Sequence, residues 1–193
     1  LRNLGYYVPL NDYFDMTVIG DIYFRGSWRL ALKSNYYKKY KFRGNLSFET
    51  SKFKNGEPET STYSETSDYK VNWTYNRDSK AKPGNRFSAN LNFFTSNFIK
   101  NNSTNFNDII STTSTSSISY SRGFFNRKLN MSLNSNMTQN LTTGAMTVTL
   151  PQLTANVSRQ LPFKKFNSKN KTLRSFVRNF GFSYQGTMKN EIQ

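Results

Sequence analysis

Hydrophobic and polar residues alternate one by one along much of this chain. From Met16 to Phe24 the even positions are Met16, Val18, Gly20, Ile22 and Phe24, and the odd positions include Thr17 and Asp21. After Arg25-Gly26-Ser27 the alternation resumes. Trp28, Leu30 and Leu32 take one face, and Arg29, Lys33 and Asn35 take the other. A period of two marks strands with one apolar and one polar face. Each run is about nine residues, and a tilted strand needs about nine to eleven to cross a bilayer. The pattern predicts an all-β fold of antiparallel transmembrane barrel strands rather than a soluble enzyme.

The rest of the chain continues the pattern. Tyr6 to Leu10 reads as the end of a first strand, turned by Pro9-Leu10-Asn11-Asp12. Strands are expected over about Asp15 to Arg25, Trp28 to Lys38 and Tyr40 to Phe53. Lys54 to Ser67 is polar, holds Gly56 and Pro58, and reads as a long loop. Tyr69, Val71, Trp73 and Tyr75 alternate with polar residues, as do Phe87, Ala89, Leu91 and Phe93, with a turn or ordered loop at Arg77 to Asn85. Asn101 to Thr115 is polar and weakly patterned. Ile118 and Tyr120 lead to a turn expected at Arg122-Gly123. Alternation returns at Leu129 to Leu133, Leu153 to Val157 and Phe180 to Met188, while Leu141 to Leu150 is ambiguous around Gly144. Pro162 to Asn170 is a basic connector, and only Lys171 to Asn179 suggests a short helix. This amounts to about ten strands joined by turns and polar loops, as in outer-membrane barrels. A soluble β-sandwich is also built of short alternating strands. The strand lengths, and a polar face carrying Asn and Lys in bulk, weigh against it.

Composition fits the membrane reading. Of 193 residues, 35% are hydrophobic and 16% aromatic. So few aliphatics would barely fill a soluble core, and a disordered chain would lack the aromatics. A barrel needs apolar residues only at alternate positions and concentrates aromatics at its interfaces. No run approaches the roughly 18 apolar residues of a membrane-spanning helix. Cysteine and histidine are both absent. That removes disulfides, thiolate and imidazole metal sites and the Ser-His-Asp triad. With the 11 acidic residues scattered singly, the sequence predicts no catalysis, no cofactor and no metal. The net charge of +16 calls for an anionic partner. Nucleic acid is one option; the phosphates of an anionic lipid are another. The chain opens at Leu1 without a charged and apolar leader, which reads as an internal piece of a longer protein or as a mature chain.

Two segments carry a resemblance. GYYVPLNDYFDMTVIGDIYFRGSWRLALKSNYYKKYKFRGN, from Gly5 to Asn45, resembles the start of the barrel domain of the LptD (OstA) lipopolysaccharide-assembly proteins in their Bacteroidetes form. WTYNRDSKAKPGNRFSANLNF, from Trp73 to Phe93, is similar to that family too. Together they cover about a third of the chain; beyond Phe94 only the strand texture matches. The resemblance implies large outer-membrane barrels of about 26 strands, with a periplasmic jelly-roll in front and an LptE-like lipoprotein plug inside. It implies that a periplasmic Lpt bridge protein delivers lipopolysaccharide, which leaves sideways into the outer leaflet through a seam between the first and last strands. Residues 1–193 would be the N-terminal portion of that barrel, in the outer membrane and among its lipids, with no second domain.

The same resemblance places a lateral gate in the first two strands, where relatives carry proline and this chain carries Gly5 and Gly20. Glycine weakens a strand through backbone entropy and the missing side chain, though it keeps its N–H. A bulge or a close contact with an aromatic is the other reading of Gly20. On the polar faces, Arg25, Arg29, Lys33, Lys41 and Arg43, with Asp21 among them, are candidate lumen residues near the gate, positioned to meet lipid A phosphates. Salt bridges within the lumen, or plain solvation, are the commoner roles of such residues. Tyr13, Tyr23, Trp28, Tyr36, Tyr37 and Tyr40 sit near strand ends and are the expected membrane-interface aromatics.

Other outer-membrane barrels, a porin-like channel or a TonB-dependent receptor fragment, remain open. Nucleic-acid binders cluster basic and aromatic residues on one exposed face. Here the two classes take opposite faces of the second to fourth strands, and no nucleic-acid partner is expected.

Overall fold

The computed structural model describes residues 1–95, 97–102, 113–165, 167 and 171–192. One sheet of ten antiparallel strands runs in sequence order from β1 to β10. The strands are β1 (Leu4–Asn11), β2 (Phe14–Ile22), β3 (Trp28–Lys38), β4 (Phe42–Asn55), β5 (Ser64–Arg77), β6 (Asn85–Phe94), β7 (Thr113–Phe124), β8 (Leu129–Asn140), β9 (Met146–Gln160) and β10 (Phe182–Ile192). Among the described residues two short helices interrupt the series, α1 (Phe98–Asn102) and α2 (Lys171–Asn179), the second where the sequence suggests it.

Strand register turns the alternation of each strand into two continuous faces. Tyr6, Val18, Leu32, Phe48, Val71 and Phe93 stand side by side across β1 to β6. One residue along, Thr17, Lys33, Ser47, Asn72 and Asn92 form the matching polar row. Across β8 to β10 the same pairing repeats, with Leu133, Leu153 and Met188 on one face and Asn134, Gln152 and Lys189 on the other. A slip of one residue anywhere would exchange the faces, so the pattern fixes the register.

The apolar face is uncovered. Tyr6 is 72% exposed, Phe48 39%, Leu133 44% and Met188 63%. Among the described residues no second sheet packs against it, as a β-sandwich would require. Buried apolar residues are few: Ala31, Ala89, Phe94, Phe98 and Leu141. Phe94, Phe98 and Leu141 form a small cluster where α1 covers part of the polar face. Asn101 of α1 donates to Asp68 at 2.8 Å, Asn102 donates to Ser51 at 3.0 Å, and Gln139 donates to the Phe94 carbonyl at 3.1 Å. A lipid phase satisfies such a sheet; water does not.

Several boundaries differ from the sequence reading. β2 ends at Ile22, because Phe24–Gly26 forms a 3₁₀ turn in which Arg25 takes φ 64°. Pro9 does not turn the chain but lies inside β1, opposite Asp15. The edge strand tolerates it, since a proline lacks only the N–H. Arg122-Gly123 is strand, and the chain reverses at residues 125–128. The expected loop Lys54 to Ser67 shrinks to residues 56–63, since β4 and β5 extend as a long hairpin. Around Gly144 the chain turns, and β9 begins at Met146. Within the polar stretch Asn101 to Thr115, residues 103–112 lie outside the described residues, as do several of the basic connector.

β9 carries Pro151 beside an extra residue. Asn134 faces Gln152 while Asn136 faces Thr149, and the neighbour on the other side shows the same jump. A bulge removes the ladder position that a central proline could not fill.

Candidate functional site

β1 is the first candidate. It pairs only with β2, so its outer backbone groups have no strand partner among the described residues. Its start is tied down: the Ile22 N–H donates to the Leu1 carbonyl at 2.8 Å, and the Asn3 N–H donates to Asp21 at 2.6 Å. Its far end is looser, with an extra residue between Pro9 and Asn11. Gly5 faces Ile19, and Gly20 faces Leu4. The two glycines are thus diagonal neighbours on opposite faces of the same strand pair. A Cβ on Gly5 would come no closer than 3.7 Å to another atom, and one on Gly20 no closer than 3.9 Å. Space therefore demands glycine at neither position, and the register runs unbroken past both. Neither a bulge nor a close aromatic accounts for Gly20; the bulge of this hairpin is at Leu10.

Arg29 organises the polar face beside that hairpin. Its guanidinium donates to Asp21 on β2 at 2.9 Å and to Glu49 on β4 at 2.6 Å. Both carboxylates are buried, at 3% and 8% exposure. Register explains the meeting: Asp21 is opposite Arg29, and Glu49 is opposite Ala31, one step along the same face. Arg29 is thus committed to two carboxylates. Arg25 sits in the turn at the same end, 4.0 Å from Glu57. Lys33 lies mid-strand on the polar face between Thr17 and Ser47. Lys41 and Arg43 lie at the opposite end, Lys41 in the β3–β4 turn and Arg43 on β4. Of the five basic residues proposed from sequence, Arg25 and Arg29 therefore lie toward one end of the sheet, Lys41 and Arg43 at the other, and Lys33 between them.

The aromatics divide as well. Trp28 and Tyr36 occupy opposite ends of the apolar face of β3. Around Tyr36 the structure adds Phe14, Phe42, Tyr75 and Phe87, with ring centroids 5.4–6.2 Å apart. Tyr69 and Phe93, 5.9 Å apart, stand toward the Trp28 end. Tyr13 and Tyr40 lie in turns, where Lys38 and Lys80 sit over their rings at 3.9 and 4.9 Å. Tyr37 departs from the expectation: its odd position puts it on the polar face, opposite Arg43. Tyr23 also turns to the polar side, against Phe53 and near Asp21.

Charge separates the two rims. The β1–β2, β3–β4, β5–β6 and β7–β8 turns, at residues 12–13, 39–41, 78–84 and 125–128, carry Lys39, Lys41, Lys80, Lys82, Arg127 and Lys128 against Asp12 and Asp78. The β2–β3, β4–β5 and β8–β9 turns at the other rim carry Arg25 against Glu57 and Glu59. The connector at residues 161–181, which joins β9 to β10 at the basic rim, adds further Lys and Arg and no acid.

Ten adjacent strands, one face left to lipid, a polar face opposite and aromatic clusters toward both ends make this the wall of a transmembrane β-barrel. The LptD protein family matches the chain over residues 1–193, and the chain belongs to that family. Its members are outer-membrane proteins of lipopolysaccharide transport and assembly, not enzymes. No match was found among curated proteins or solved structures.

Proposed function

We propose that β1 and β2 form one side of a lateral exit through which lipopolysaccharide enters the outer leaflet. The observation that carries this reading is the Gly5–Gly20 pair on the edge hairpin, where space would admit any small side chain. Two glycines in one strand pair lower its stability, because each loses more backbone freedom on ordering and adds no cross-strand contact. Pro9 and the extra residue beside it remove a further donor and a ladder position. The pairing that such an edge makes with another strand is therefore weak on the β1 side and can open at low cost. In lipid an open edge leaves backbone groups unbonded, so opening is brief and coupled to the passage of polar cargo. An LptE-like plug within the polar face and a periplasmic bridge protein as the source of cargo complete this reading.

Photocrosslinking in intact cells tests it, with the probe at Gly5, Gly20 or Lys33 and detection by an antibody against lipopolysaccharide. The expected result is an adduct at the hairpin positions that disappears when the energy source of transport is blocked. A correctly inserted protein that gives no adduct at any of the three would instead support a porin-like channel.

A further inference from the structure

The basic rim holds a cleft that the exit reading does not use. It measures 430 Å³ and opens between the β5–β6 and β7–β8 turns, lined by Arg86, Arg127, Asn130, Ser132, Thr154 and Asn156 among others. None of its lining residues is acidic. We propose that this cleft binds the phosphate monoester of a sugar head group.

Three observations point there. The first is preorganisation of Arg127. Phe125, Asn126 and Arg127 take φ of 50°, 54° and 66°, three successive non-glycine residues in the left-handed region. Such conformations persist only where surrounding structure holds them, and they cluster at ligand clamps. Here the Arg127 carbonyl accepts from the Asn130 amide and from the Ser158 hydroxyl, both at 3.2 Å. The Ser158 N–H donates to the next carbonyl, that of Lys128, at 2.8 Å. The Arg127 side chain passes over Gly123, where an added Cβ would lie 3.2 Å from its Cγ.

The second is the joining of the two turns. The Gly123 N–H donates to the Gly84 carbonyl at 2.8 Å, so the turn beside Arg86 and the strand beside Arg127 move as one. Arg86 stands on the polar face of β6 opposite Ser121. Two guanidiniums on one fixed frame suit a phosphate, whose oxygens accept from planar forks. Arg122 also borders the cleft, but its position on β7 sends its side chain to the other face, with its guanidinium 4.9 Å from the Phe124 ring.

The third is the neutral lining. Ser132, Thr154 and Asn156 lie on the polar face of β8 and β9 and offer both donors and acceptors. A bare phosphate needs neither that many neutral groups nor that volume. The volume falls in the range of about 300–1,000 Å³ that small-molecule ligands occupy. Hydroxyl-rich sugar carrying a phosphate matches both halves of the lining.

The proposal rests on the transport reading for the source of the sugar phosphate, and not on β1 as the exit. Binding is therefore measured on purified full-length protein with its partners in detergent, where exit plays no part. Calorimetry compares an acyl-free phosphorylated glucosamine disaccharide, the same disaccharide without phosphate, and inorganic phosphate. The expected result is binding of the phosphorylated disaccharide alone, with inorganic phosphate at least about tenfold weaker. Arg86→Gln/Arg127→Gln should weaken it by about tenfold or more, since a hydrogen bond to a charged group contributes on that scale. Lys52→Gln, which removes one charge from the ion pair with Glu65 near the β4–β5 turn at the opposite rim, should leave it unchanged. Serine at position 158 offers a second route: Ser158→Ala keeps every charge and should still weaken binding by loosening the Arg127 turn. Equal binding with and without phosphate would overturn the proposal. So would inorganic phosphate binding as tightly as the disaccharide, or equal losses in the arginine and Lys52 variants.

Discussion

Tyr36 lies across Gly44 on the neighbouring strand. Its hydroxyl donates to the Thr74 carbonyl of β5 and accepts from the Trp73 indole at 2.8 Å. A Cβ on Gly44 would overlap both the Tyr36 ring and the Thr74 carbonyl. An aromatic folded over a strand glycine fills the missing side-chain volume and ties three strands together. Gly44→Ala should therefore force the ring out and destabilise the sheet by about 1–3 kcal/mol. Tyr36→Phe should cost about 1 kcal/mol, keeping the ring and losing the hydroxyl's bonds. Urea unfolding in detergent micelles would rank the two variants.

Arg29 is expected to matter for stability. Arg29→Ala leaves Asp21 and Glu49 buried without their shared cation, at a cost of about 3 kcal/mol. The triple change Arg29→Ala, Asp21→Asn, Glu49→Gln removes all three charges and should recover much of that loss. If the single and triple variants unfold at the same urea concentration, the ion pairs are not what holds these strands.

The edge hairpin offers the reverse experiment. A Cβ at position 20 meets nothing closer than 3.9 Å, and Gly20→Val adds a β-branched side chain to the apolar face. It should stabilise β1 on β2 by up to about 1 kcal/mol. Hydrogen exchange of the β1 amides should slow, and delivery of lipopolysaccharide to the cell surface should fall. Slower exchange with unchanged delivery would separate the hairpin from the exit.

Face assignment can be tested with adjacent residues. Leu46 is 44% exposed on the apolar face, while Asn45 beside it faces the polar side. Leu46→Arg should oppose insertion by about 1–3 kcal/mol, the cost of a cation facing lipid between the midplane and the interface. Asn45→Arg should insert and assemble nearly as well as the unaltered chain. Heat-modifiable gel mobility of the inserted protein reads both outcomes.

Much of the fold was legible because one-residue alternation survives in plain sequence. Met16 to Ile22 and Trp28 to Leu32 show it, and the structure pairs those runs directly. Turns were harder. Arg122-Gly123 has the composition of a turn, yet Gly123 is strand, and the reversal uses Phe125, Asn126 and Arg127 with positive φ. Of the three only Asn126 is a residue type that takes positive φ readily, and one Asn in a chain rich in Asn marks no turn. Parity, more than proximity to a strand end, decides which face an aromatic takes; Tyr36 reaches the apolar face while Tyr37 does not. Glu49 was missed because its meeting with Arg29 depends on a register set 20 residues away. Arg86 and Arg127 belong to different hairpins, and only the sheet brings them to one cleft. The family, by contrast, was readable from two segments alone.

Trp28 and Tyr36 stand eight residues apart on one strand. At 3.3 Å per residue they are roughly 26 Å apart along the chain. Tilted by about 40°, the strand gives the apolar band a height of roughly 20 Å along the membrane normal. The bacterial outer membrane is thinner than an average bilayer, and lipid adjusts to a shorter protein by thinning around it. Acyl chains next to this wall are therefore compressed and less ordered than those farther away. On the exit reading proposed above, a lipid arriving at the wall would enter a leaflet already loosened to receive it.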